Sequence, residues 1–273
     1  MSRISVITIN YNNISGLENT FRSVFSQNTN YFEYIVIDGG SKDGSYDLIL
    51  QHADKIDYFV SEEDAGIYHA MNKGIKVANG DFVIFMNSGD MFFDNNQIAI
   101  IVKELKDDDD IVYGDVRLRN MNSGYDAIQR HPAVLSFKYF YNQTICHQAC
   151  VIKKSLFDSV FYFNERFKIV SDWEFLIVAL FIHKVNYRKI EHVIAVFDCS
   201  GVSTSSKTKA IAKQERSIVM DQYFSRFKED YKELASHSSL RSQQLLLIQN
   251  SKILRRIVSI LFFVMLQFLP KKQ

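Results

Sequence analysis

The chain has 273 residues, of which 47% are hydrophobic and 23% are charged, and its formal net charge is +1 at pH 7. This composition excludes a mainly disordered chain, and the near-zero charge argues against a broadly basic nucleic-acid binder. The average conceals a division, because residues 1–200 contain 19 Lys/Arg and 26 Asp/Glu whereas residues 201–273 contain 13 and 5. No acidic residue follows Glu233. The basic C-terminal region therefore needs an explanation of its own.

Cysteine content and the N-terminus bear on the cellular compartment. The three cysteines are Cys146, Cys150 and Cys199, and an odd, low number favours a reducing compartment over a disulfide framework. Cys146 and Cys150 flank His147, but a second cysteine pair is missing from the sequence, so a zinc site is disfavoured. The N-terminal residues run directly into a strand-like segment, and we expect no signal peptide. No stretch reaches the ~18–20 apolar residues of a membrane span.

Short apolar segments alternate with helical patterns through the first 115 residues. We predict strands at 4–9, 34–37, 58–60, 82–86 and 111–113, and helices at 16–27, 45–53, 67–78 and 95–105. This alternation predicts an α/β fold with a mostly parallel sheet and helices on both faces. Beyond residue 116 the pattern favours a helix at 172–183, a strand at 192–197 and helical structure after 204.

Polar clusters directly follow the predicted strands. They are Asn10-Tyr11-Asn12, Asp38-Gly39-Gly40-Ser41, Glu62-Glu63-Asp64, Asn87-Ser88-Gly89-Asp90 and Gly114-Asp115. Because open α/β sheets bind ligands outside the carboxyl ends of their strands, one crevice can collect all five clusters. The alternative, that polar loops simply follow buried strands, explains the polarity but not the repeated Asp and Gly.

Two of these loops suit a nucleotide diphosphate and its cation. In the 38–44 loop, glycines permit close backbone approach and carboxylates can accept hydrogen bonds from a base or ribose. The loop is neither GxGxxG nor a Walker loop, so a dinucleotide fold and an NTPase are not indicated. Asp90 can hold a divalent cation against phosphates, because hard cations prefer oxygen ligands. An ordinary turn is the alternative interpretation of each loop.

Five motifs, in this order and spacing, resemble those of family-2 glycosyltransferases with the GT-A fold. The motifs are the strand 4–10 with Tyr11-Asn12, residues 38–44, residues 64–74, Asn79-Gly80-Asp81, and residues 87–90. The chain is most similar to bacterial enzymes that assemble O-antigens, capsules and exopolysaccharides. The resemblance covers residues 1–115 most fully, extends to about residue 205 and is absent from the tail.

The resemblance implies a GT-A (Rossmann-like) catalytic domain and a role for each matching residue. It implies that nucleotide-binding residues are Thr8, Asn10, Tyr11, Asp38, Gly39, Ser41, Asp43, Asp64, Gly66, Tyr68, Met71, Asn72 and Lys73. Asp38 would bind the uracil of a UDP-sugar. Asp90 would bind Mn²⁺ or Mg²⁺, although the motif supplies one carboxylate where the family's DXD motif has two.

Further residues are implied on the donor-sugar and acceptor side of the cleft. They are Asn87, Ser88, Gly89, His147, Gln148, Trp173 and Glu174. A buried structural histidine is the alternative for His147, and core packing is the alternative for Trp173. Gly201-Val202-Ser203 resembles the Gly-rich loop of the subgroup, with a plain turn as the alternative.

The resemblance implies a catalytic base at the start of the predicted helix 172–183. A sugar hydroxyl is a poor nucleophile, and a carboxylate within hydrogen-bond reach can take its proton as attack develops. Asp172 occupies the comparable position, and Glu174 is the rival. The alternative is that Asp172 is only an N-terminal helix residue favoured by the helix dipole.

Residues 245–269 combine apolar runs with basic side chains. Lys252, Arg255 and Arg256 can meet anionic headgroups while Phe262 and Phe263 enter the acyl boundary, so we predict peripheral membrane binding. An ordinary packing or oligomer helix is the alternative. We therefore expect a catalytic domain at 1–205 and a helical region at 206–273 with a membrane-binding tail.

The sequence thus predicts an inverting, metal-dependent glycosyltransferase, specifically a hexosyl- or N-acetylhexosaminyltransferase. It would move a sugar from a UDP-sugar to a polyprenyl-diphosphate-linked saccharide at the cytoplasmic face of the plasma membrane. A sugar-nucleotide-forming nucleotidyltransferase is an alternative, but residues 10–16 lack the Lys or Arg that a triphosphate needs. Another is a non-catalytic membrane-associated scaffold, against which Asp38, Asp90 and Asp172 argue. A processive synthase is disfavoured because Gln-Xaa-Xaa-Arg-Trp is missing around Trp173, the only tryptophan.

Overall fold

The structure is a computed structural model that describes residues 3–120, 123–199, 206–236, 244–245, 247–248 and 250–268. It consists of two compact units, Met1–Val219 and Met220–Gln273. The predicted domain boundary at 205/206 adjoins residues 200–205, which lie outside the described residues, and it stays a prediction. The predicted loop Gly201-Val202-Ser203 also lies outside them.

Within the described residues, the first unit is built on one nine-stranded sheet. Its strands are β1 (Ile4–Asn10), β2 (Phe32–Asp38), β3 (Tyr58–Ser61), β4 (Phe82–Phe85), β5 (Met91–Phe92), β6 (Ile111–Asn120), β7 (Tyr125–Gln129), β8 (Cys150–Lys153) and β9 (Tyr187–Asp198). They lie in the order β3-β2-β1-β4-β8-β6-β9-β5, and β7 pairs with β6.

Helices connect these strands. They are α1 (Ile14–Phe25), α2 (Ser45–Gln51), α3 (Ile67–Val77), α4 (Gln97–Glu104), α5 (Phe137–Asn142), α6 (Leu156–Ser159), α7 (Ser171–Phe181) and α8 (Ser206–Tyr223). The helices and strands predicted in the first 115 residues are all present, with ends that differ by a few residues. Strand β6 continues well beyond the predicted 111–113 segment.

Within the described residues the sheet is mixed, and the prediction of a mostly parallel sheet was wrong, because beyond β4 only β6 and β9 pair in parallel. Strands β3, β2, β1 and β4 pair in parallel. Strand β8 then runs antiparallel to both β4 and β6, and β5 and β7 are also antiparallel to their partners. These three strands have two to five residues each, which is too short for an alternating pattern to identify them.

The apolar runs of the parallel strands form the core. Every residue of β1 is buried, as expected for a strand covered by helices on both faces. Helix α1 packs Leu17, Phe21 and Val24 into this core. Asn13 caps the N-terminus of α1, and its Oδ1 accepts a hydrogen bond from the Gly16 N–H at 3.1 Å. Such a side-chain acceptor satisfies an otherwise unpaired N–H of the first turn.

The parallel register brings the polar strand ends together. Asn10 at the end of β1 lies opposite Asp38 at the end of β2, and Asp38 lies opposite Ser61 at the end of β3. The clusters at 10–12, 38–41 and 62–64 therefore meet at one edge of the sheet, as the sequence predicts.

The second unit contains α9 (Lys228–Ser236) and α10 (Lys252–Leu266). Helix α10 exposes most of its large apolar side chains, including Ile253, Ile260, Phe263 and Met265. Among the described residues, no helix combines the length and the apolar character needed to cross a membrane.

Candidate active site

Asp38 organises the loop that follows β2. Its side chain is fully buried, and it accepts hydrogen bonds from Asn10 Nδ2 at 2.8 Å, from Ser41 Oγ at 2.6 Å and from Ser61 Oγ at 2.6 Å. Burial raises the pKa of Asp38, but these hydrogen bonds outweigh it and hold the pKa below its usual value. Asp38 is therefore an ionised residue that holds the loop together. In this geometry its carboxylate has no exposed atom that could contact a nucleobase.

Ser41 and Asp43 are likewise engaged within the protein. Ser41 Oγ accepts a hydrogen bond from the Asn12 N–H at 2.8 Å. Asp43 accepts the Ile14 N–H at 2.8 Å and the Ser45 hydroxyl at 2.6 Å, so one carboxylate joins the first turns of α1 and α2. These bonds fix the shape of the 38–44 loop, and the predicted contact of Ser41 and Asp43 with a nucleotide stays a prediction.

The Tyr11 ring lies beside this loop, next to the buried Gly39 and the mostly buried Asp64. The Tyr11 side chain is 68% exposed. A Cβ atom added at Gly39 would lie 3.2 Å from the Tyr11 ring and 3.1 Å from Asp64 Oδ2. Glycine at this position therefore permits the close approach of two side chains that were predicted to line the nucleotide pocket.

Asp64 also anchors Lys73. Lys73 Nζ lies 2.6 Å from Asp64 Oδ1 and 2.8 Å from Glu62 Oε1. Burial lowers the pKa of Lys73, but the two carboxylates outweigh it and raise the pKa. Gly66, with φ of 131°, precedes α3, and open space faces the position of its missing Cβ.

The loop after β4 is anchored on α1. Thr20 Oγ1 accepts the Gly89 N–H at 3.0 Å and donates to the Asp90 carbonyl at 2.8 Å. Ser88 Oγ donates to the Asn13 carbonyl at 3.1 Å. Gly89 has φ of 105°, a left-handed conformation that favours glycine. The loop carrying Asn87 and Asp90 is thus held by a buried threonine.

Asp90 is a buried carboxylate with two protein donors. Gln148 Nε2 donates to Oδ2 at 3.0 Å, and the Asp198 N–H donates to Oδ1 at 3.3 Å. Burial raises the pKa of Asp90 to about 6, against the opposing effects of the His147 charge and these hydrogen bonds. The charged form of Asp90 is therefore incompletely compensated, as at a site that accepts a cation.

Two buried amide oxygens near these loops lack a protein donor. Within the described residues, Asn10 Oδ1 and Asn87 Oδ1 have no hydrogen-bond partner. A buried acceptor without a partner costs free energy, so a bound donor group or cation would stabilise both. Across the same residues, no group of three or more His, Cys, Asp or Glu side chains is arranged to hold a metal ion.

Asp172, the predicted base, lies in the first turn of α7 with both carboxylate oxygens engaged. The Tyr68 hydroxyl donates to Oδ1 at 3.0 Å, and His147 Nδ1 lies 3.2 Å from Oδ2. Burial raises the pKa of Asp172, but His147 and Tyr68 outweigh it and lower the pKa below its usual value. The side chain keeps 16% of its surface exposed. Asp172 is thus an ionised, oriented carboxylate that solvent reaches.

His147 connects Asp172 to the loop after β4. Its Nε2 lies 3.1 Å from Asn87 Nδ2, while its Nδ1 faces Asp172. Burial lowers the pKa of His147, but the hydrogen bond and charge of Asp172 and the charge of Asp90 raise it overall. The structure therefore brings Tyr68, Asp172, His147 and Asn87 into one hydrogen-bonded chain.

Several predicted site residues are core or support residues instead. Trp173 is buried, its Nε1 donates to the Phe140 carbonyl at 2.8 Å, and the Arg216 guanidinium covers its ring at 4.8 Å from the centroid. This burial agrees with core packing, the alternative given for Trp173, and it does not fit a contact with the donor sugar or acceptor, because no face of the indole is open. Glu174 is also buried, with 1% of its surface exposed, which favours Asp172 over Glu174 as the base.

Three of the predicted nucleotide-binding residues have inward side chains. Thr8 Oγ1 donates to the Met86 carbonyl at 2.7 Å, and Met71 is buried in the core. Asn72 Nδ2 donates to the Phe163 carbonyl at 2.8 Å, and its Oδ1 accepts the Phe163 N–H at 3.0 Å. Because these side chains face the protein interior, the predicted contact of Thr8, Met71 and Asn72 with a nucleotide could be made only by their backbone atoms. The Asn72 side chain fixes the segment preceding α7.

Two residues that support the base carry no sequence motif. Glu215 on α8 accepts the backbone N–H groups of Lys168 at 2.8 Å, Ile169 at 3.0 Å and Val170 at 3.2 Å. These residues lead directly into α7, and the neighbouring Arg216 covers Trp173. Glu215 and Arg216 lie in an ordinary charged helical stretch, so no pattern in the sequence distinguishes them.

The sheet, the loops at its carboxyl edge and the ionised Asp172 define a nucleotide-dependent transferase of the GT-A type. The model of the family "Glycosyl transferase family 2" matches residues 5–161. An uncharacterized glycosyltransferase of Mycobacterium tuberculosis is 33% identical over 216 residues, covering 76% of this chain and 79% of the relative. The chain belongs to glycosyl transferase family 2 and is a glycosyltransferase.

Another relative and two solved structures are less similar to this chain in sequence. A PGL/p-HBAD biosynthesis glycosyltransferase of Mycobacterium bovis is 28% identical over 158 residues, covering 56% of this chain and 60% of the relative. A TarS fragment of S. aureus, crystallised with UDP-GlcNAc, has a TM-score of 0.61 at 19% identity, covering 77% of this chain and 64% of that chain. A mannosyltransferase of Pyrobaculum calidifontis, crystallised with GDP-Man and Mn²⁺, has a TM-score of 0.58 at 17% identity, covering 94% and 83%. The chain thus spans less than two thirds of the TarS fragment, and these structures establish the fold.

Proposed function

We propose that this glycosyltransferase is inverting and metal-dependent, and that it transfers a sugar from a UDP-sugar to a hydroxyl of a saccharide acceptor. The observation that carries the proposal is the Asp172 carboxylate, which is ionised, oriented by Tyr68 and His147, and linked through His147 to the loop of Asn87 and Asp90. A base on one side and a polar loop suited to a diphosphate on the other are what direct displacement requires.

The exposed ring of Tyr11, at the carboxyl ends of β1 and β2, supports a nucleotide donor. The Tyr11 ring is open to solvent next to Gly39 and Asp64, so a planar base can pack on it. Among the structural neighbours, TarS has been crystallised with UDP and with UDP-GlcNAc, and the mannosyltransferase with GDP-Man. A UDP-sugar is the donor we propose, and a GDP-sugar is the competing choice.

The residues at the loop after β4 fit a divalent cation, Mn²⁺ or Mg²⁺. Asp90 supplies a carboxylate whose charge is incompletely compensated, and Asn87 supplies a buried oxygen without a protein partner. Such ions are commonly held by one or two protein oxygens together with substrate phosphates. When bound, the ion would neutralise charge on the departing diphosphate.

Transfer then depends on Asp172. The carboxylate accepts the proton of the acceptor hydroxyl as its oxygen bonds to the anomeric carbon, and the bond from that carbon to the diphosphate breaks with its electron pair on the diphosphate. Attack opposite the leaving group inverts the anomeric centre, so an α-linked donor gives a β-linkage. Hydrogen bonds from Tyr68 and His147 hold the carboxylate in place.

We also propose that the acceptor is a polyprenyl-diphosphate-linked saccharide in bacterial surface-polysaccharide synthesis, including O-antigen assembly. The enzyme would work at the cytoplasmic face of the plasma membrane, with α10 as its peripheral anchor. Fifteen residues span only about 22 Å, less than the ~30 Å hydrocarbon core, so this helix suits the membrane interface. Lys252, Arg255 and Arg256 lie within its first turns, and Phe262 and Phe263 are exposed further along.

A donor panel tests the proposed function. UDP-linked and GDP-linked sugars are incubated with the full chain, with and without Mn²⁺ or Mg²⁺, and nucleotide release is measured with and without saccharide acceptors. We expect metal-dependent release of UDP and a β-linked product by NMR. Release of GDP only would overturn the UDP assignment, and no release or binding with any donor would favour a non-catalytic role.

A further inference from the structure

The feature that the proposed mechanism leaves unexplained is the second nitrogen of His147. One nitrogen, Nδ1, lies 3.2 Å from Asp172 Oδ2, and the other, Nε2, lies 3.1 Å from Asn87 Nδ2. Asp172 begins α7, whereas Asn87 follows β4. One imidazole, held by the short helical turn His147–Ala149 before β8, therefore bridges the base to the loop of the donor side.

The partners of the ring define its tautomer. An ionised carboxylate only accepts hydrogen bonds, so Nδ1 carries the hydrogen that points to Asp172. The amide nitrogen of Asn87 only donates, so Nε2 is the acceptor. When the ring is neutral, these partners select the Nδ1–H tautomer, in which both nitrogens are satisfied. The same bond holds the Asn87 amide with its nitrogen towards the ring, leaving Asn87 Oδ1 without a protein donor.

We propose that His147 is a positioning residue that holds the Asp172 carboxylate and the Asn87 amide in one fixed arrangement. The proposal rests on the proposed function, because it assigns Asp172 to the acceptor and Asn87 to the donor side. Through Nδ1 the ring directs the base, and through Nε2 it keeps an amide oxygen available to the donor's cation. His147 thus couples the two halves of the reaction without touching the reacting atoms.

Substituting His147 with asparagine or glutamine separates its contact with Asp172 from its contact with Asn87. The amide nitrogen of H147N replaces Nδ1 and retains a donor for Asp172, but it does not reach Asn87. The amide group of H147Q extends to the position of Nε2 and retains a partner for Asn87, but it leaves Asp172 without its donor. H147A removes both contacts. The same exchange at the exposed His183, H183N, is the matched control.

The kinetic test measures the kcat of transfer and the donor KM separately. H147Q is expected to lower kcat about tenfold and to leave the donor KM within about twofold, since one hydrogen bond to a charged group is lost. H147N is expected to raise the donor KM about tenfold and to leave kcat within about twofold. H147A is expected both to lower kcat and to raise the donor KM. H183N should match the wild type. Equal loss of kcat in H147N and H147Q, or unchanged kinetics in H147A, would overturn the proposal.

A second measurement does not depend on turnover. Long-range ¹H–¹⁵N NMR of the full chain, at alkaline pH where the ring is neutral, should show His147 as the Nδ1–H tautomer, and D172A should abolish that preference. An Nε2–H tautomer in the wild type would overturn the proposal. If no nucleotide-sugar binds or turns over, the proposed function fails, and the tautomer still tests the arrangement of His147.

Discussion

The hydroxyl of Tyr68 on α3 donates a hydrogen bond to Asp172 Oδ1 over 3.0 Å, although 104 residues separate the two in the chain. Burial, together with the charge of Asp172, raises the pKa of Tyr68 well above its usual value, so the phenol stays protonated and remains a donor. Tyr68 was predicted to border the nucleotide, and the structure instead joins it to the candidate base.

Removing the hydroxyl tests this pair. Y68F deletes a hydrogen bond that lowers the pKa of Asp172, so the pKa of the base rises and a larger fraction is protonated at any given pH. Because only the ionised base accepts a proton, the acid limb of the kcat profile should move to higher pH, with kcat reduced about tenfold in the acid range.

The control for Y68F is another tyrosine–aspartate pair. Tyr162 donates to Asp158 at 2.8 Å on the surface, outside the site. Y162F should leave the pH profile of kcat unchanged. A Y68F enzyme with the wild-type acid limb would contradict the proposed effect of Tyr68 on the base.

Metal removal and D90N should affect the donor side alone. Chelation is expected to reduce turnover at least about a hundredfold, with recovery on adding Mn²⁺ or Mg²⁺. D90N keeps the size of the side chain but removes its charge, so more metal is needed for half-maximal activity. The measurement is a metal titration of UDP release. Recovery at wild-type metal concentrations in D90N would contradict the assignment of Asp90.

Glu33 on β2 gives a prediction about stability. It is buried and accepts hydrogen bonds from Ser5 Oγ, Asn79 N and the Gly80 N–H. Burial raises the pKa of Glu33, but these bonds outweigh it and lower the pKa below 4.5. Its contribution is therefore complete above the unfolded pKa and is lost as the pH falls through the folded value.

E33Q should lower the free energy of unfolding at neutral pH by about 1–3 kcal/mol. The substitution removes the negative charge from the acceptor of these bonds, and it replaces Oε2, which accepts from Asn79 Nδ2 at 3.2 Å, with an amide group that only donates. This difference in the free energy of unfolding between E33Q and the wild type should become smaller as the pH falls. The measurement is denaturant unfolding at several pH values. E18Q is the matched control, because Glu18 pairs only with Arg22 on the surface and such pairs contribute about 0.5 kcal/mol. A pH-independent difference between E33Q and the wild type would contradict this linkage.

The proposed anchor predicts salt-sensitive binding to anionic vesicles. R255E/R256E reverses two charges at the start of α10 and should release the full chain from vesicles containing anionic lipid, since each basic residue contributes ~1 kcal/mol there. K138E/K184E changes exposed lysines of the first unit and should leave binding intact. Co-sedimentation measures both, and equal binding by the two variants would contradict an anchor at α10.

The parallel half of the sheet could be predicted because its information is local. Strands β1, β2 and β4 are short segments rich in β-branched and aromatic residues, and polar loops follow them closely. The antiparallel pairs involve short strands that are distant in sequence from their partners, such as β5 and β8, and a window of sequence does not contain that information.

The site divides in the same way. Asp90 ends the last of the ordered motifs and Asp172 begins a predicted helix, so the sequence could propose both as site residues, together with His147 and Gln148. It could not predict which side chains contact each other. Whether Tyr68 faces a nucleotide or Asp172 depends on how α3 packs against α7, and the support from Glu215 depends on α8, far along the chain. For Trp173 the sequence left a site role and core packing open, and the structure shows core packing.

The measurement that tests the account most directly compares D172N with E174Q in the full chain. Both variants should bind the UDP-sugar and metal with wild-type affinity by calorimetry. D172N should lower the kcat of transfer by about 10²–10⁴-fold, as expected for loss of a general base, while E174Q retains most of it. Full transfer activity in D172N, or a larger loss in E174Q, would contradict the assignment of Asp172.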